Sequence, residues 1–276
     1  METYDPDVLK RLQRAELTLL LEVDRICKKH GIAYSLEGGT LLGAIRHKGF
    51  IPWDDDVDVA MLRPEYERFF EACKKELDPK RYFLQDYHTD PYYPWGYPKL
   101  RLLNTLFLRE GQEHLRFHQE IGIDIMLFDN VPDNPFIRMI YEGSCFVIRK
   151  CQYAVVGKTQ APKGWQRIVY AVIDKIPKRL LFWALERIAQ ITNRRRTRLV
   201  RAMTWPNPKR CPHGLPRVCF ESYIDAPFEG HMVRIFKRYH LYLKQMFGNY
   251  LQLPPEEERT VHPASRIILP PEDTDL

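Results

Sequence analysis

The feature that most constrains this chain is a run of carboxylates inside a strand pattern. Asp54, Asp55, Asp56 and Asp58 lie within five positions with no lysine or arginine between them, and apolar residues recur at every second position over 57–61. This alternation predicts a half-buried strand on which Asp56 and Asp58 share one face. Carboxylates this close repel one another and favour a neutralising cation, and their hard oxygens suit Mg²⁺ or Mn²⁺. We therefore predict a divalent-metal site here; the alternative is a solvated acidic turn.

A lone carboxylate interrupts a second apolar segment. Residues 121–128 are apolar except for Asp124. Because an unpaired buried charge is costly, Asp124 is expected to have a partner. If its strand lies beside residues 56–61, Asp124 joins Asp56 and Asp58 as a third metal ligand or as a base beside the metal. The alternative is an ion pair with an arginine or lysine.

A glycine pair lies about sixteen residues before the acidic strand, where a predicted strand over 32–36 gives way to a short helix. Glycines let a ligand approach the backbone, and a helix N-terminus offers unpaired N–H groups to phosphate. Thr40 is predicted to cap this helix, which runs to about His47. Basic residues in these regions are candidates for holding phosphates, although each alone is more often solvated. The predicted nucleotide- and phosphate-binding residues are Gly38, Gly39, Thr40, Arg46, Asp54, Lys99 and Arg101.

The rest of the chain alternates helices and strands before it turns helical. Asp5-Pro6 predicts the cap of a first helix that ends at Gly31, and Pro64 predicts the start of another. Strands are predicted over 82–87, 97–103, 105–109 and 121–128. The later predictions are helices over 135–203 with breaks at 157–164 and Pro177, a strand over 217–224, and a long helix over 231–247.

Charge divides the chain into three segments. Residues 1–136 carry 18 basic and 24 acidic residues, 137–210 carry 17 and 3, and 211–276 carry 7 and 9. The basic middle segment could face the phosphates of nucleic acid, anionic lipid or a substrate, or be a solvated helix surface. Apolar and basic residues mix over 163–201, including the arginines at 194–198. This mixture predicts a membrane-surface helix, with helices packed on the catalytic domain as the equally supported alternative.

Composition excludes several classes of protein. A hydrophobic content of 45% excludes disorder along the whole chain. No apolar run reaches the roughly 18 to 20 residues that span a bilayer, and the first thirty residues lack the pattern of a signal peptide. We therefore expect a cytoplasmic protein with reduced cysteines. Cys211, His213 and Cys219 are the tightest group of other metal-binding types, without an identifiable fourth ligand.

Five blocks of the sequence resemble one family. They are GGTLLGAIRHKGFIPWDDDVDVAM at 38–61, Lys99 with Asn104-Thr105, GIDIMLFDNVP at 122–132, FEG at 228–230, and FGNYLQLPPEEERTVHP at 247–263. Together they are similar to the LicD family, phosphotransferases of the nucleotidyltransferase superfamily. The resemblance implies an α+β fold, a nucleotidyltransferase-like mixed sheet flanked by helices. It further implies a catalytic core over 1–136, a helical insertion over 137–210, and a segment over 211–276 that completes the catalytic domain with a C-terminal helix.

The resemblance also implies a reaction. LicD-like enzymes transfer a phosphorylated alcohol, typically phosphocholine from CDP-choline, to a sugar hydroxyl of a cell-surface glycan such as teichoic acid or lipopolysaccharide; related members use CDP-ribitol. By this resemblance Asp56, Asp58 and Asp124 hold Mg²⁺ or Mn²⁺, and Asp124 accepts the hydroxyl proton. Met126-Leu127 stands where the family has Phe-Pro, and His231-Met-Val replaces a more proline-containing stretch; both departures bear on the choice of substrate.

Substrate contacts are expected from two regions. A quaternary ammonium is held by aromatic faces, and a cluster of aromatic residues between 87 and 97 could supply them, although such residues are also ordinary core. Arg259 and His262 belong to the matched C-terminal block. The predicted substrate-binding residues are Tyr93, Trp95, Arg259 and His262, within an aromatic cluster of Tyr87, Tyr92, Tyr93, Trp95 and Tyr97.

The expected partners are a CDP-alcohol donor, a lipid-linked glycan acceptor and an anionic membrane surface on the inner face of the plasma membrane, and no nucleic acid. Two rival functions share parts of the pattern. A metal-dependent glycosyltransferase also uses a D-x-D pair to hold a nucleotide diphosphate, although the Gly-Gly-Thr helix start favours the nucleotidyltransferase reading. A non-catalytic membrane-surface scaffold would rely on the basic middle segment alone.

Overall fold

The computed structural model describes residues 4–255, 259 and 261–271. In this part of the chain the helices α1–α7 are Pro6–His30, Gly38–Arg46, Arg63–Glu76, Pro135–Gln160, Gly164–Ile173, Lys178–Thr192 and Tyr239–Phe247. The strands β1–β11 are Ser35–Leu36, Asp58–Leu62, Tyr82–Gln85, Lys99–Leu102, Leu106–Arg109, Gly122–Val131, Leu199–Ala202, Leu215–Pro216, Tyr223–Phe228, His231–Phe236 and Ala264–Ile268. The fold is α+β, as the sequence predicts.

A mixed sheet of seven strands carries the acidic residues. Its centre is β6, which pairs in parallel with β2 and antiparallel with β4 and β7. β1 extends the sheet beyond β2, β3 beyond β4, and β8 beyond β7. Nine of the ten residues of β6 are buried, as expected for a strand covered on both faces. β6 therefore brings the sequence-distant strands β2 and β4 to either side of Asp124.

α1 packs its apolar stripe on this sheet. The Asp5 carboxylate accepts hydrogen bonds from the N–H groups of Asp7 and Val8, and Gly31 ends the helix in the left-handed conformation with φ 61°. Both ends match the predicted cap and stop, because an aspartate N-cap and a C-terminal glycine satisfy the end groups of a helix. Leu12, Leu19 and Val23 are fully buried in the main core.

The helices α4, α5 and α6 form a separate layer with a smaller core of their own. Tyr141 and Cys145 of α4 pack with Leu185 and Ala189 of α6, whereas α5 has no buried residue. A polar link ties the layer to the sheet, because Asn193 donates to the Asp129 carboxylate at 2.6 Å. No helix in the described residues is long and apolar enough to cross a membrane.

Four element predictions are wrong. The second helix begins at Gly38, so Thr40 lies inside it and does not cap it. Residues 199–202 form β7 and not a helix, because they find a hydrogen-bonding edge on β6.

The predicted helix over 231–247 is the third error, because its first part is β10 of a hairpin. The hairpin turns at Glu229-Gly230, both with positive φ, which is the turn geometry that two-residue hairpins favour. Val233 and Ile235 are β-branched and suit a strand, but the apolar spacing also fits a helix. The predicted strand over 217–224 is a 3-10 turn at Arg217–Phe220, with β9 starting at Tyr223.

Candidate active site

The site is built on the parallel pairing of β2 with β6. Asp58 lies directly opposite Asp124 in the register, and the Asp124 N–H donates to the Val57 carbonyl oxygen at 2.9 Å. Neighbouring strands lie about 4.8 Å apart, and paired residues project to the same face of the sheet. The expected adjacency of the two acidic strands is therefore confirmed.

The N-terminus of α2 lies against these carboxylates. A Cβ atom placed on Gly38, whose φ is +50°, would lie 3.7 Å from Asp58 Oδ2, and one on Gly39 would lie 3.0 Å from Asp54 Oδ2. The Asp58 N–H donates to Thr40 Oγ1 at 2.9 Å. Thr40 thus fixes the start of β2 to the first turn of α2, and the glycines leave room beside both carboxylates.

Crowding changes the acidity of the group. Burial is the main cause that raises the pKa of Asp58 well above its usual range, and repulsion from Asp56 and Asp124 adds to it. Burial, with the added negative charges of Asp56 and Asp55, raises the pKa of Asp54 to about 8. The positive charge of Arg46 opposes this rise. The site is therefore short of positive charge and favours a proton or a cation.

One lysine enters the acidic site. Lys99, on β4, forms an ion pair with Asp124, which is the alternative that the sequence left open for this carboxylate. Burial lowers the pKa of Lys99 to about 8, against the favourable charge of Asp124. Arg101, two residues along the same strand, donates instead to Gln85 Oε1 at 2.7 Å and to the Glu120 carbonyl oxygen.

The residues fit a hard divalent cation in donor type. Asp56, Asp58 and Asp124 offer carboxylate oxygens, and their mutual repulsion is the charge imbalance that such an ion corrects. Within the described residues, no three histidine, cysteine or acidic side chains form a ready-made metal group. Cys211, His213 and Cys219 do not form such a group either, because His213 Nδ1 lies 2.7 Å from Glu142 Oε1. For all three aspartates to bind one cation, the ion pair between Lys99 and Asp124 would have to break.

A cavity of about 330 Å³ opens beside the acidic strand. Its lining includes the aromatic residues Trp95, Tyr97 and Trp205. The charged residues that line it are Glu16, Asp55, Asp56, Lys99, Arg101, Arg109, Asp124 and Arg149. Such a mixture of aromatic faces and ionic groups suits a polar ligand with an apolar or cationic part.

Two polar side chains in this cavity escaped the sequence reasoning. Glu16 Oε2 and Gln152 Nε2 are buried, and neither atom has a hydrogen-bond partner within the described residues. Burial and the charges of Asp56 and its neighbours raise the pKa of Glu16 well above its usual range. A signal did exist, because Glu16 lies between the apolar residues Leu12 and Leu19 on the buried face of α1. Arg109, at the end of β5, was also missed and carried no comparable signal.

A second, smaller cavity of about 200 Å³ lies further along the same sheet face. Glu37, Asp58, Phe128 and Arg201 line it, and Trp205 lines both cavities. The carboxylates therefore border two separate spaces. This arrangement can hold two substrates on either side of a charged centre.

The C-terminal block closes over the acidic loop. The His262 N–H donates to Asp55 Oδ2 at 2.9 Å, and His262 Nδ1 lies 3.1 Å from Asp55 Oδ1 and 3.5 Å from Asp56 Oδ2. The Arg259 guanidinium lies over the ring of Trp53, 4.4 Å from its centroid. Residues 256–258 and 260 of this block lie outside the described part of the chain.

Two further predicted residues lie away from the cavities. Arg46 donates to the backbone carbonyls of Tyr250 and Gln252, so it ties α2 to the first part of the C-terminal block. Tyr93 is 1% exposed and donates to the Tyr97 carbonyl oxygen at 2.9 Å. Tyr93 thus positions Tyr97 and does not line the cavity itself.

The rest of the proposed aromatic cluster is dispersed. Tyr87 stacks on Phe182 of the helical layer with ring centroids 4.2 Å apart, and Tyr92 is 62% exposed at the surface. Trp95 and Tyr97 are the members that line the first cavity. Sequence proximity between 87 and 97 therefore does not produce a single cage of five rings.

Comparison with known proteins agrees with this architecture. Residues 31–110 match the family model described as LicD/FKTN/FKRP, nucleotidyltransferase domain. The chain is 30% identical to the lipopolysaccharide cholinephosphotransferase LicD of Haemophilus influenzae over 274 residues, covering 92% of this chain and 95% of that protein. It is also 61% identical over 31 residues to the human ribitol 5-phosphate transferase FKRP, covering 11% of this chain and 6% of that protein.

An α+β chain with paired acidic strands and these relatives is a transferase of the phospho-alcohol class. The chain belongs to the LicD family.

Proposed function

We propose that this chain transfers a phosphorylated alcohol from a CDP-alcohol to a sugar hydroxyl of a cell-surface glycan. The preferred donor is CDP-choline, and the acceptor is a lipid-linked precursor of a glycan such as teichoic acid or lipopolysaccharide. The observation that carries this proposal is the register of Asp58 against Asp124 beside the N-terminus of α2. The nearly full-length similarity to a cholinephosphotransferase supports the choice of head group.

The donor diphosphate lies at the carboxylates, between the two cavities. Asp56 and Asp58 would hold Mg²⁺ or Mn²⁺, which when bound neutralises charge on the diphosphate, while Asp124 stays paired with Lys99. Lys99, buried at the same place, supplies fixed positive charge to a phosphate. We assign the nucleoside to the second cavity, because Glu37 and Asp58 link that cavity to the start of α2.

The reaction exchanges one phosphate ester bond for another. The acceptor hydroxyl oxygen bonds to the phosphorus of the phospho-alcohol, the bond from this phosphorus to the CMP oxygen breaks, and CMP leaves. Asp124 faces the first cavity and receives the hydroxyl proton, while Lys99 keeps its carboxylate oriented. The acceptor therefore enters through the first cavity.

The first cavity also accommodates the alcohol. A choline head group needs aromatic faces and a nearby negative charge and forms no donor hydrogen bond. Trp95, Tyr97 and Trp205 offer such faces, and Asp55 and Asp56 line the same cavity. His262 contacts Asp55, which lines this cavity, and so places a polar group beside it.

A thermal-shift screen tests the proposal. CDP-choline, CDP-ribitol, CDP-glycerol, CDP-ethanolamine and UDP-sugars are each added with Mg²⁺ or with EDTA. One CDP-alcohol is expected to raise the Tm, more with Mg²⁺ than with EDTA, and the Asp58→Asn variant is expected to lose this difference. A shift with UDP-sugars alone would identify the glycosyltransferase alternative, and no shift with any nucleotide would favour the scaffold.

A further inference from the structure

The helical layer exposes an unusual amount of apolar surface. Among the described residues, twenty-three large apolar side chains are exposed, and fifteen of them lie between residues 136 and 191. We name as the helical apolar surface the exposed apolar side chains of α4, α5 and α6, represented by Phe136, Phe146, Trp165, Ile168, Leu180 and Trp183. Isolated exposed apolar residues are ordinary, but a concentration of this kind marks a binding surface.

The same helices concentrate positive charge. Residues 137–210 hold 17 lysines and arginines against three acidic residues. Each of the three acidic side chains already has a partner: Glu142 contacts His213, Asp174 contacts Lys158 and Lys178, and Glu186 contacts His88. These acidic residues offset only a small part of the positive charge, so a large excess of basic side chains remains in this segment.

Basic groups and exposed rings are adjacent in detail. The Arg187 guanidinium lies 5.7 Å from the centre of the Trp183 ring, and Lys150 Nζ lies 5.6 Å from that of Phe146. Each pair places a cationic group beside an exposed aromatic ring. This is the arrangement that an interfacial helix uses, with rings among the acyl chains and cations at the headgroups.

We propose that the helical apolar surface binds an anionic lipid bilayer. A second copy of this chain is the competing occupant, but a symmetric dimer would bring two strongly basic layers together and repel itself. An anionic bilayer satisfies both the apolar area and the charge. Neither of these observations depends on the proposed reaction.

The surface also differs from the one that the sequence predicts. It begins at Phe136, well before residue 163, so the first half of α4 belongs to it. Arg196 and Arg198 contribute less than predicted, because they form ion pairs with Glu221 and Asp133.

The location of the surface matches a membrane-borne acceptor. Arg149, Gln152 and Tyr153 of α4 line the first cavity, about one turn beyond Phe146 and Val147. A bilayer on this surface would therefore lie beside the entrance of the cavity.

Vesicle co-sedimentation of the full chain tests the proposal. Phosphatidylcholine vesicles are compared with vesicles that also contain phosphatidylglycerol, at low and high salt. The chain should sediment with the anionic vesicles, and less at high salt. A charge variant with Lys175→Gln, Arg179→Gln and Arg187→Gln should bind on the order of a hundredfold more weakly, roughly fivefold for each charge.

An apolar variant, Trp165→Ser with Ile168→Ser and Trp183→Ser, should also lose binding, while matched controls should keep it. The apolar control is Met232→Ser with Ile224→Ser on the hairpin, and the charge control is Lys74→Gln with Lys75→Gln on α3, all exposed outside the surface. If the apolar variant does not fold, the charge variant decides.

Absence of binding to anionic vesicles at low salt would overturn the proposal, as would equal losses in the variants and their controls. A concentration-dependent dimer that the apolar variant abolishes, with no vesicle binding, would assign the surface to a second copy. Vesicle binding is measured without substrates, so its outcome is independent of the phosphotransferase assay.

Discussion

The acidic centre and the helical layer depart from ordinary folding rules in opposite ways. The centre places several carboxylates close together beneath the surface, which raises their pKa values, whereas the layer leaves apolar rings in solvent. Crowded carboxylates and exposed apolar rings both lower the stability of the isolated chain. A bound partner would relieve each of them. The two regions therefore call for different partners, and those that we propose are a cation with a nucleotide diphosphate for the centre and an anionic bilayer for the layer.

The largest expected effect separates function from stability in the centre. Asp58→Asn should lower the rate of CMP release by on the order of a thousandfold, because it removes an oxygen that organises the charged transition state. The same change should raise the Tm, because it removes one of several repelling buried carboxylates. Turnover and melting are both measured, with the exposed Asp225→Asn of the hairpin as control. Unchanged turnover, or a fall in Tm, would count against this account of the centre.

A buried carboxylate that has its own partner should behave in the opposite way. Asp129 is fully buried, and Arg63 donates to both of its oxygens at 2.6 Å. Arg63→Met should lower the free energy of unfolding by about 3–5 kcal/mol, because Asp129 is left buried and unpaired. Urea unfolding measures this loss. The exposed Arg68→Met on the same helix is the control and should cost less than about 1 kcal/mol.

Glu16 provides a pH test of the crowded centre in EDTA. Its pKa is raised well above its ordinary 4.5 in the folded chain, so the folded state holds a proton that the unfolded state releases. The contribution of Glu16 to the free energy of unfolding is therefore fully present below pH 4.5. Above that pH it falls by about 1.4 kcal/mol per pH unit, up to the pKa of Glu16 in the folded chain.

Glu16→Gln removes this loss. The variant should be as stable as the parent chain at low pH and increasingly more stable above pH 4.5, as measured by urea unfolding across the pH range. A stability difference that does not change with pH would mean that the Glu16 carboxyl is not perturbed as described.

The helical layer should respond locally to changes in packing. A Cβ atom on Gly157 of α4 would lie 2.7 Å from the Tyr170 ring of α5. Gly157→Ala should loosen the packing of α5 on α4 by ~1–3 kcal/mol, since the added atom also lies 2.9 Å from the Tyr153 ring. Hydrogen exchange of α5 amides measures this.

Gly143→Ala on the same helix is the matched control, since nothing lies within 4 Å of the added atom. It should stabilise α4 slightly through helix propensity. If both substitutions lower turnover, the layer and the catalytic centre are coupled more tightly than their separate cores indicate.

The sequence predicts the acidic centre well because its signals are local. A lone Asp124 in an apolar strand and the alternation over 57–61 each indicate a buried face with charge on it, and the register of β2 and β6 brings them together. Glu16 is likewise a charged residue among the apolar residues of one face of α1. The pairing of Lys99 with Asp124 depends on which strand lies beside β6, which no local pattern specifies.

The hairpin and the aromatic cluster show what local patterns leave open. The apolar residues of 231–236 fit both a helix and a strand, and pairing with β9 decides between them. Tyr87 and Trp95 are eight positions apart, yet one stacks on α6 and the other lines the cavity. Tertiary contacts between distant segments settle both outcomes.

We propose that the acidic centre transfers a phospho-alcohol from a CDP-alcohol, and one assay tests this directly. The chain is incubated with CDP-choline, a lipid-linked glycan and Mg²⁺, and both products are detected by mass spectrometry. We expect CMP and a glycan heavier by one phosphocholine in equal amounts, both lost with Asp58→Asn and retained with Asp225→Asn. If the glycan instead gains a sugar from UDP-sugars added as competitors, or if Asp58→Asn forms product at the parent rate, the claim is contradicted.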